Sequence, residues 1–224
     1  SCFSIKNGNK LWSFNTEKPL IKSQKKLSII IQENKVIFIN TLGDVTALDT
    51  LTGRLLWQLP TQSKSIYDEA MFLKISDMVL KDNSVFFSNN MNEFFSLDAS
   101  TGILNWKQVV NSSLRPSIVN DFIFTVSEEG FLIVIDSKSG KIIRSTDLFD
   151  KFKIKKRKKI KPTGFVLGSK KLYLSTSTGR LLIVDIETGK TQSIIKIDSE
   201  KISRPIILKQ SLFVVKNNSV IKLN

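Results

Sequence analysis

The sequence predicts an all-β fold assembled from repeated four-stranded units, and three observations carry that expectation. A fifteen-residue pattern recurs four times with one internal spacing. Glycines at 8, 53, 102, 140 and 189 stand 45, 49, 38 and 49 residues apart, an interval that holds four short strands with their turns. β-Branched and aromatic residues gather into short runs punctuated by Gly, Asn, Asp and Ser, and no comparable window sustains a helical spacing of apolar residues.

The first full copy, 43–57, carries Asp49, Gly53 and Trp57. The second, 92–106, carries Asp98, Gly102 and Trp106 at the same offsets. The third, 130–144, keeps Asp136 and Gly140, and the fourth, 179–193, keeps Asp185 and Gly189. A half copy opens the chain at 1–14, where Gly8 and Trp12 preserve the glycine-to-tryptophan interval, and another half at 218–224 matches 43–49. Each repeat reads as one antiparallel blade of a β-propeller, about five blades in all. In the first full unit the strands are expected at 28–32, 35–40, 44–49 and 55–59, and in the closing unit at 205–208, 211–215 and 219–223. Only the connection 65–74 reads as a short helix.

The motif has a physical reading that needs no ligand. An Asp carboxylate accepts hydrogen bonds from the amides of the turn that follows it, and a Gly four residues on takes the left-handed conformation that closes the hairpin loop. All three tryptophans, Trp12, Trp57 and Trp106, share one repeat position, where a large ring on the outer strand packs against a neighbouring blade.

A second recurrence accompanies the first. Arg115-Pro116, Lys161-Pro162 and Arg204-Pro205 each precede an apolar strand, and proline suits a strand's first position, where no ladder donor is required. These strands are expected to be the innermost of their blades. The paired cations Arg115, Lys161 and Arg204 are candidate partner contacts, with solvated strand starts as the plainer reading.

Composition removes many kinds of chemistry. The 224 residues contain one cysteine, Cys2, and no histidine, which excludes an internal disulfide, a Cys/His zinc site and any triad built on imidazole. Adjacent acids occur at Asp68-Glu69 and Glu128-Glu129, and both pairs read as surface loops. No run approaches the length of a membrane-spanning helix. The formal charge is +14, from 34 Lys and Arg against 20 Asp and Glu, and favours anionic partners. Ile and Asn are abundant alongside Lys, the bias an AT-rich genome imposes throughout a chain, so composition accounts for part of that charge.

Two connections are long. The segment 60–77 holds Ile66, Tyr67, Met71 and Phe72 outside the repeat pattern, read either as a satellite core over a blade edge or as anchors for a partner. The segment 151–161 holds eight cations in eleven residues, among them Lys155, Lys156, Arg157, Lys158 and Lys159. It reads as a mobile solvated loop, or as a site for anionic lipid headgroups or an acidic protein surface. Nucleic acid is not the expected partner, because Phe152 is the only aromatic among these cations.

The pattern Leu48-Asp49 through Gly53 to Trp57, repeated from Leu97-Asp98 to Trp106, resembles the PQQ-like propeller repeat. That family includes quinoprotein dehydrogenases and the noncatalytic outer-membrane assembly factor BamB. The resemblance covers nearly the whole of 1–224, read as one domain. The quinoprotein enzymes use a vicinal cysteine pair and acidic and amide metal ligands on a longer chain, whereas Cys2 stands alone and aligns with Ala47 inside a strand. Lipidation at Cys2 is therefore not expected. The resemblance implies a BamB-like scaffold at the periplasmic face of a Gram-negative outer membrane, with protein partners in the assembly machinery and no cofactor or small-molecule substrate. BamB-like rings have eight blades, so the expectation is an open arc from a larger propeller. The rival arrangement is a five-bladed ring closed by 10–14.

Overall fold

The computed structural model describes residues 1–16, 28–40, 43–61, 75–89 and 91–223, and they are all-β apart from one helical turn. Their contacts divide the chain into two compact units, Ser1–Ser113 and Leu114–Asn224.

In the first unit a two-stranded sheet of β1 (Cys2–Phe3) and β2 (Lys10–Trp12) is followed by two complete blades. One comprises β3 (Ile29–Gln32), β4 (Lys35–Ile39), β5 (Val45–Asp49) and β6 (Leu55–Leu59), in that order across the sheet. The next comprises β7 (Val79–Lys81), β8 (Ser84–Ser88), β9 (Glu93–Asp98) and β10 (Leu104–Val109). The expected strands of the first full unit are present to within a residue at each end.

The second unit repeats the plan. One blade is β11 (Ser117–Val119), β12 (Phe122–Val126), β13 (Phe131–Asp136) and β14 (Ile142–Asp147). The next is β15 (Pro162–Gly168), β16 (Lys171–Thr176), β17 (Arg180–Asp185) and β18 (Thr191–Lys196). A three-stranded sheet follows, of β19 (Ile206–Leu208), β20 (Ser211–Lys216) and β21 (Ser219–Leu223). Every pairing is antiparallel between sequence neighbours, the meander that short turns produce.

The helical turn, α1 (Ile154–Arg157), lies in the basic connection, which was expected to be a loop. The connection 65–74, where a helix was expected, lies outside the described residues. The basic segment is ordered into a turn because its Lys and Arg residues favour helix and its flanks are anchored, as described below.

Each unit has a core built between consecutive blades. In the first, Ile37, Ile39, Val45 and Ala47 from β4 and β5 meet Val85, Phe87, Phe95 and Leu97 from β8 and β9. Phe87 and Phe95 stack at 5.1 Å between centroids and 10° between planes. In the second, Phe124, Val126, Leu132 and Val134 pack with Phe165, Leu172, Leu174, Leu182 and Val184. The third strands β5, β9 and β13 are buried along most of their length, and β17 at three of its six residues, where consecutive blades of a unit pack face to face. Full burial of one such side chain contributes about 1.5–3 kcal/mol.

One irregularity repeats as faithfully as the motif. Between the third and fourth strands the register slips by one residue, leaving Leu56, Asn105, Ile143 and Gln192 without a cross-strand partner. The same slip leaves Leu11 unpaired between β1 and β2. A bulge bends its strand and re-aims the side chain beside it. The residue after each bulge is Trp12, Trp57, Trp106, Arg144 or Ser193, the tryptophan position of the repeat.

Candidate interaction surfaces

The motif aspartates are committed to their own turns. Asp49 Oδ1 accepts from the amides of Leu51 at 3.1 Å and Thr52 at 2.7 Å and from the Thr52 hydroxyl at 2.7 Å. Asp98 receives the corresponding set from Ser100 and Thr101. Asp136 receives its bonds from Ser139, and Asp185 from Thr188. In each copy the glycine amide donates to the aspartate carbonyl, from Gly53, Gly102, Gly140 and Gly189. Gly8 does the same to Ser4 in the opening half copy. Hydrogen bonds to the charged form lower a carboxyl pKa. Thr52 holds Asp49 below the ordinary value, Ser139 holds Asp136 there, and Thr188 holds Asp185 there. At Asp98 partial desolvation pushes upward, and the bonds from Thr101, Ser100 and Asn83 together outweigh it.

At Trp12, Trp57 and Arg144 the residue after the bulge fastens one blade to the turn of the next. Trp12 Nε1 donates to the Thr50 carbonyl at 2.9 Å, and its ring lies against Gly53. Trp57 Nε1 donates to the Ala99 carbonyl at 3.3 Å, and its ring lies against Gly102. In the second unit Arg144 occupies this position, and its guanidinium donates to the carbonyls of Ile186 and Glu187 beside Gly189. Thr50, Ala99 and Ile186 each follow a motif aspartate, so the acceptor is the same in all three copies. The sequence signal for Arg144 is its place four residues after Gly140, the tryptophan position of the repeat.

The three cations before prolines differ in their surroundings. Pro116, Pro162 and Pro205 are buried at the start of an edge strand. Arg115 and Lys161 have exposed side chains, while the Lys161 backbone exchanges hydrogen bonds with Ser177. Arg204 is half-buried, donates from Nε to the Phe165 carbonyl at 3.0 Å, and lies against Gly164 of the preceding blade. Its guanidinium thus joins two blades, and that engagement corrects its reading as a free partner contact. The other candidate anchors, Ile66, Tyr67, Met71 and Phe72, lie outside the described residues.

The basic connection is held from below. Ile160 is buried in the core of the second unit, and Phe152 packs against that core edge-on to Phe149 at 5.9 Å. Arg157 reaches inward, donating to the Asp147 carboxylate at 2.6 Å and to the carbonyls of Phe152 at 2.9 Å and Asp150 at 2.7 Å. Arg157 is therefore an anchor of the segment, which corrects its reading as an anion contact. The segment is ordered because a guanidinium with three acceptors and two apolar side chains are fixed at once. Lys153, Lys155, Lys156, Lys158 and Lys159 have exposed side chains.

Three comparisons place this architecture among known proteins. The family model described as outer membrane protein assembly factor BamB matches residues 1–146. A search of the curated proteins finds no significant match. The crystal structure of BamB from Moraxella catarrhalis superposes with a TM-score of 0.78 at 15% identity, covering 98% of this chain and 64% of that one. The computationally designed Ika8 protein gives a TM-score of 0.67 at 13% identity, over 89% of this chain and 58% of the other. The β-propeller domain of Myceliophteria thermophila Cps50 (Swd1) gives 0.65 at 16% identity, over 87% and 62%. The chain thus spans less than two thirds of each of these structures, and at these identities the likeness shows the fold, a β-propeller.

Proposed function

The chain belongs to the PQQ-like propeller family of the outer membrane protein assembly factor BamB, and from that premise we propose that it is a noncatalytic scaffold. It binds protein partners at the periplasmic face of a Gram-negative outer membrane, where β-barrel proteins are assembled. The family match over 1–146 carries this reading. The geometry supports it, because the repeat's acids are spent on turns and its indoles and Arg144 on joining blades. What such blades offer a partner is surface, displayed on connections that a rigid framework positions.

The protein contact falls on the connection carrying Ile66, Tyr67, Met71 and Phe72 and on the exposed cations Arg115 and Lys161. An anionic lipid surface is a second contact, made by the exposed lysines Lys153, Lys155, Lys156, Lys158 and Lys159. Neither nucleic acid nor a small-molecule substrate is a partner in this reading, and no cofactor is required.

The test is affinity purification of the tagged chain from a cross-linked Gram-negative envelope extract, alongside titration with PQQ and calcium. Recovery of β-barrel assembly components with no PQQ-dependent absorbance change is the expected result. A stoichiometric absorbance change would assign the chain to the quinoprotein dehydrogenases. Recovery of partners unconnected with barrel assembly would leave an interaction module of another pathway and overturn the assembly role.

A further inference from the structure

Five exposed lysines, Lys153, Lys155, Lys156, Lys158 and Lys159, share one short segment with an isoleucine that the fold leaves outside. Ile154 is 77% exposed on α1, while Ile160, six residues on, is buried in the core. The turn carries no buried residue and no acid in its first turn. None of the five lysines makes an ion pair among the described residues, and the Asp147 carboxylate is taken by Arg157. The backbone beneath them is set by bonds from Lys156 and Arg157 to the Lys153 carbonyl and from Ile160 to the Arg157 carbonyl.

From this arrangement we propose that residues 153–159 form an anionic-membrane contact, in which the lysines meet lipid headgroups and Ile154 inserts at the headgroup boundary. The inference deepens the lipid-surface part of the proposed function and rests on it. Exposed cations on the same segment as a solvated apolar side chain fit an interface that is charged at its surface and apolar a few ångströms below. Lysine ammoniums are point charges on flexible stems, suited to mobile headgroups that offer no fixed register, whereas bidentate recognition of a protein carboxylate favours arginine. The one arginine of α1 is turned inward. Nucleic acid would require an aromatic face for stacking, and the Phe152 ring is in T-shaped contact with Phe149 and lies under the Arg180 guanidinium at 5.8 Å. Because the segment is anchored by Ile160, Phe152 and Arg157, its lysines are held together before any surface arrives, which lowers the ordering cost of docking.

Flotation of the full chain with vesicles tests this, using phosphatidylcholine mixed with phosphatidylglycerol against phosphatidylcholine alone. Binding is expected only to the anionic vesicles and is expected to weaken with salt. Each lysine contributes about fivefold to the partition coefficient, so K155E/K156E lowers it by more than tenfold. Ile154→Ser lowers it by about tenfold while leaving the salt dependence in place. These side chains are exposed, so melting temperatures of the variants should match the parent. Equal binding to both vesicle types would overturn the proposal. So would an Ile154→Ser variant that floats like the parent, or polyglutamate binding that depends on the same lysines while vesicles are ignored. Failure on vesicles with barrel-assembly partners still recovered would overturn the lipid contact alone. Vesicle binding without those partners would overturn the assembly role alone.

Discussion

The indole of Trp57 lies on Gly102 so closely that a Cβ built there would stand 2.6 Å from ring atoms Cδ2 and Cε3. Gly102 also has φ +74°, so two separate constraints require glycine at one position. Gly53 beneath Trp12 repeats both. The turn of one blade and the outer strand of its neighbour are thereby one packing unit.

Replacing Gly102 with Val is expected to destabilise the protein by the strain of a left-handed backbone, about 1–3 kcal/mol, and further by expelling the Trp57 ring. A gentler pair separates the two contributions. Gly8 has φ +72° and nothing within 4 Å of its virtual Cβ, so Gly8→Ala meets strain alone, whereas Gly102→Ala meets strain and the indole. Urea denaturation should show the larger loss for Gly102→Ala, and equal losses would mean that the ring moves aside without cost.

Arg144→Ala should cost about 1–3 kcal/mol, because the carbonyls of Ile186 and Glu187 lose their donor in a partly enclosed site. Arg144→Trp restores the side chain found at this position in the copies that include Trp57 and Trp106, and should lose less than the alanine variant. Thermal unfolding of the two variants decides the matter, and an Ala variant as stable as the parent would show that Arg144 does not fasten the blades.

Arg157→Lys is predicted to loosen the basic connection without unfolding the blades. A lysine supplies one ammonium where the guanidinium serves three acceptors. Amide exchange at residues 156–160 should accelerate while exchange in β12 and β16 stays slow. Because the Arg157–Asp147 pair is about one third exposed, with side-chain accessibilities of 33% and 29%, the global stability change is expected to be small. Uniform acceleration throughout the second unit would contradict this.

Asp198 is held at a pKa of about 2, below its ordinary 3.8, by the hydrogen bond from Lys216 at 2.7 Å and the Ser199 amide. A carboxyl whose folded pKa is depressed stabilises the fold above the unfolded value and loses that contribution as pH falls through the folded one. The melting-temperature difference between the parent and Asp198→Asn should therefore be fully open above pH 3.8 and close as pH approaches about 2. A difference independent of pH would place the effect elsewhere.

The turn aspartates, their glycines and the strands between them were legible in the sequence, because a four-residue hairpin loop is a local device whose donors, acceptors and backbone angles lie within six residues. The blade count followed from counting those devices, and the family resemblance from their spacing. The long-range role of tryptophan was legible in kind, since a large ring at one repeat position implies a neighbour. The acceptor was not, because Thr50 and Ala99 lie 38 and 42 residues away. Nor was the bulge at Leu11, Leu56, Asn105, Ile143 and Gln192, which is a property of strand pairing and has no residue type of its own.

By itself the sequence determined the repeat, the all-β architecture and the concentration of charge at 151–161. The tertiary structure decided which of those charges face solvent. Eight cations in eleven residues look alike in one dimension, and only the placement of the Asp147 carboxylate and the carbonyls of Phe152 and Asp150 turns Arg157 inward, as the Thr191 carbonyl holds Lys151. Arg204 is drawn to Phe165 in the same way, by a carbonyl 39 residues distant. The physical reason is range. Backbone turns are settled among adjacent residues, whereas the partner of a long cationic side chain is settled by whichever acceptor the folded chain brings within 3 Å of it.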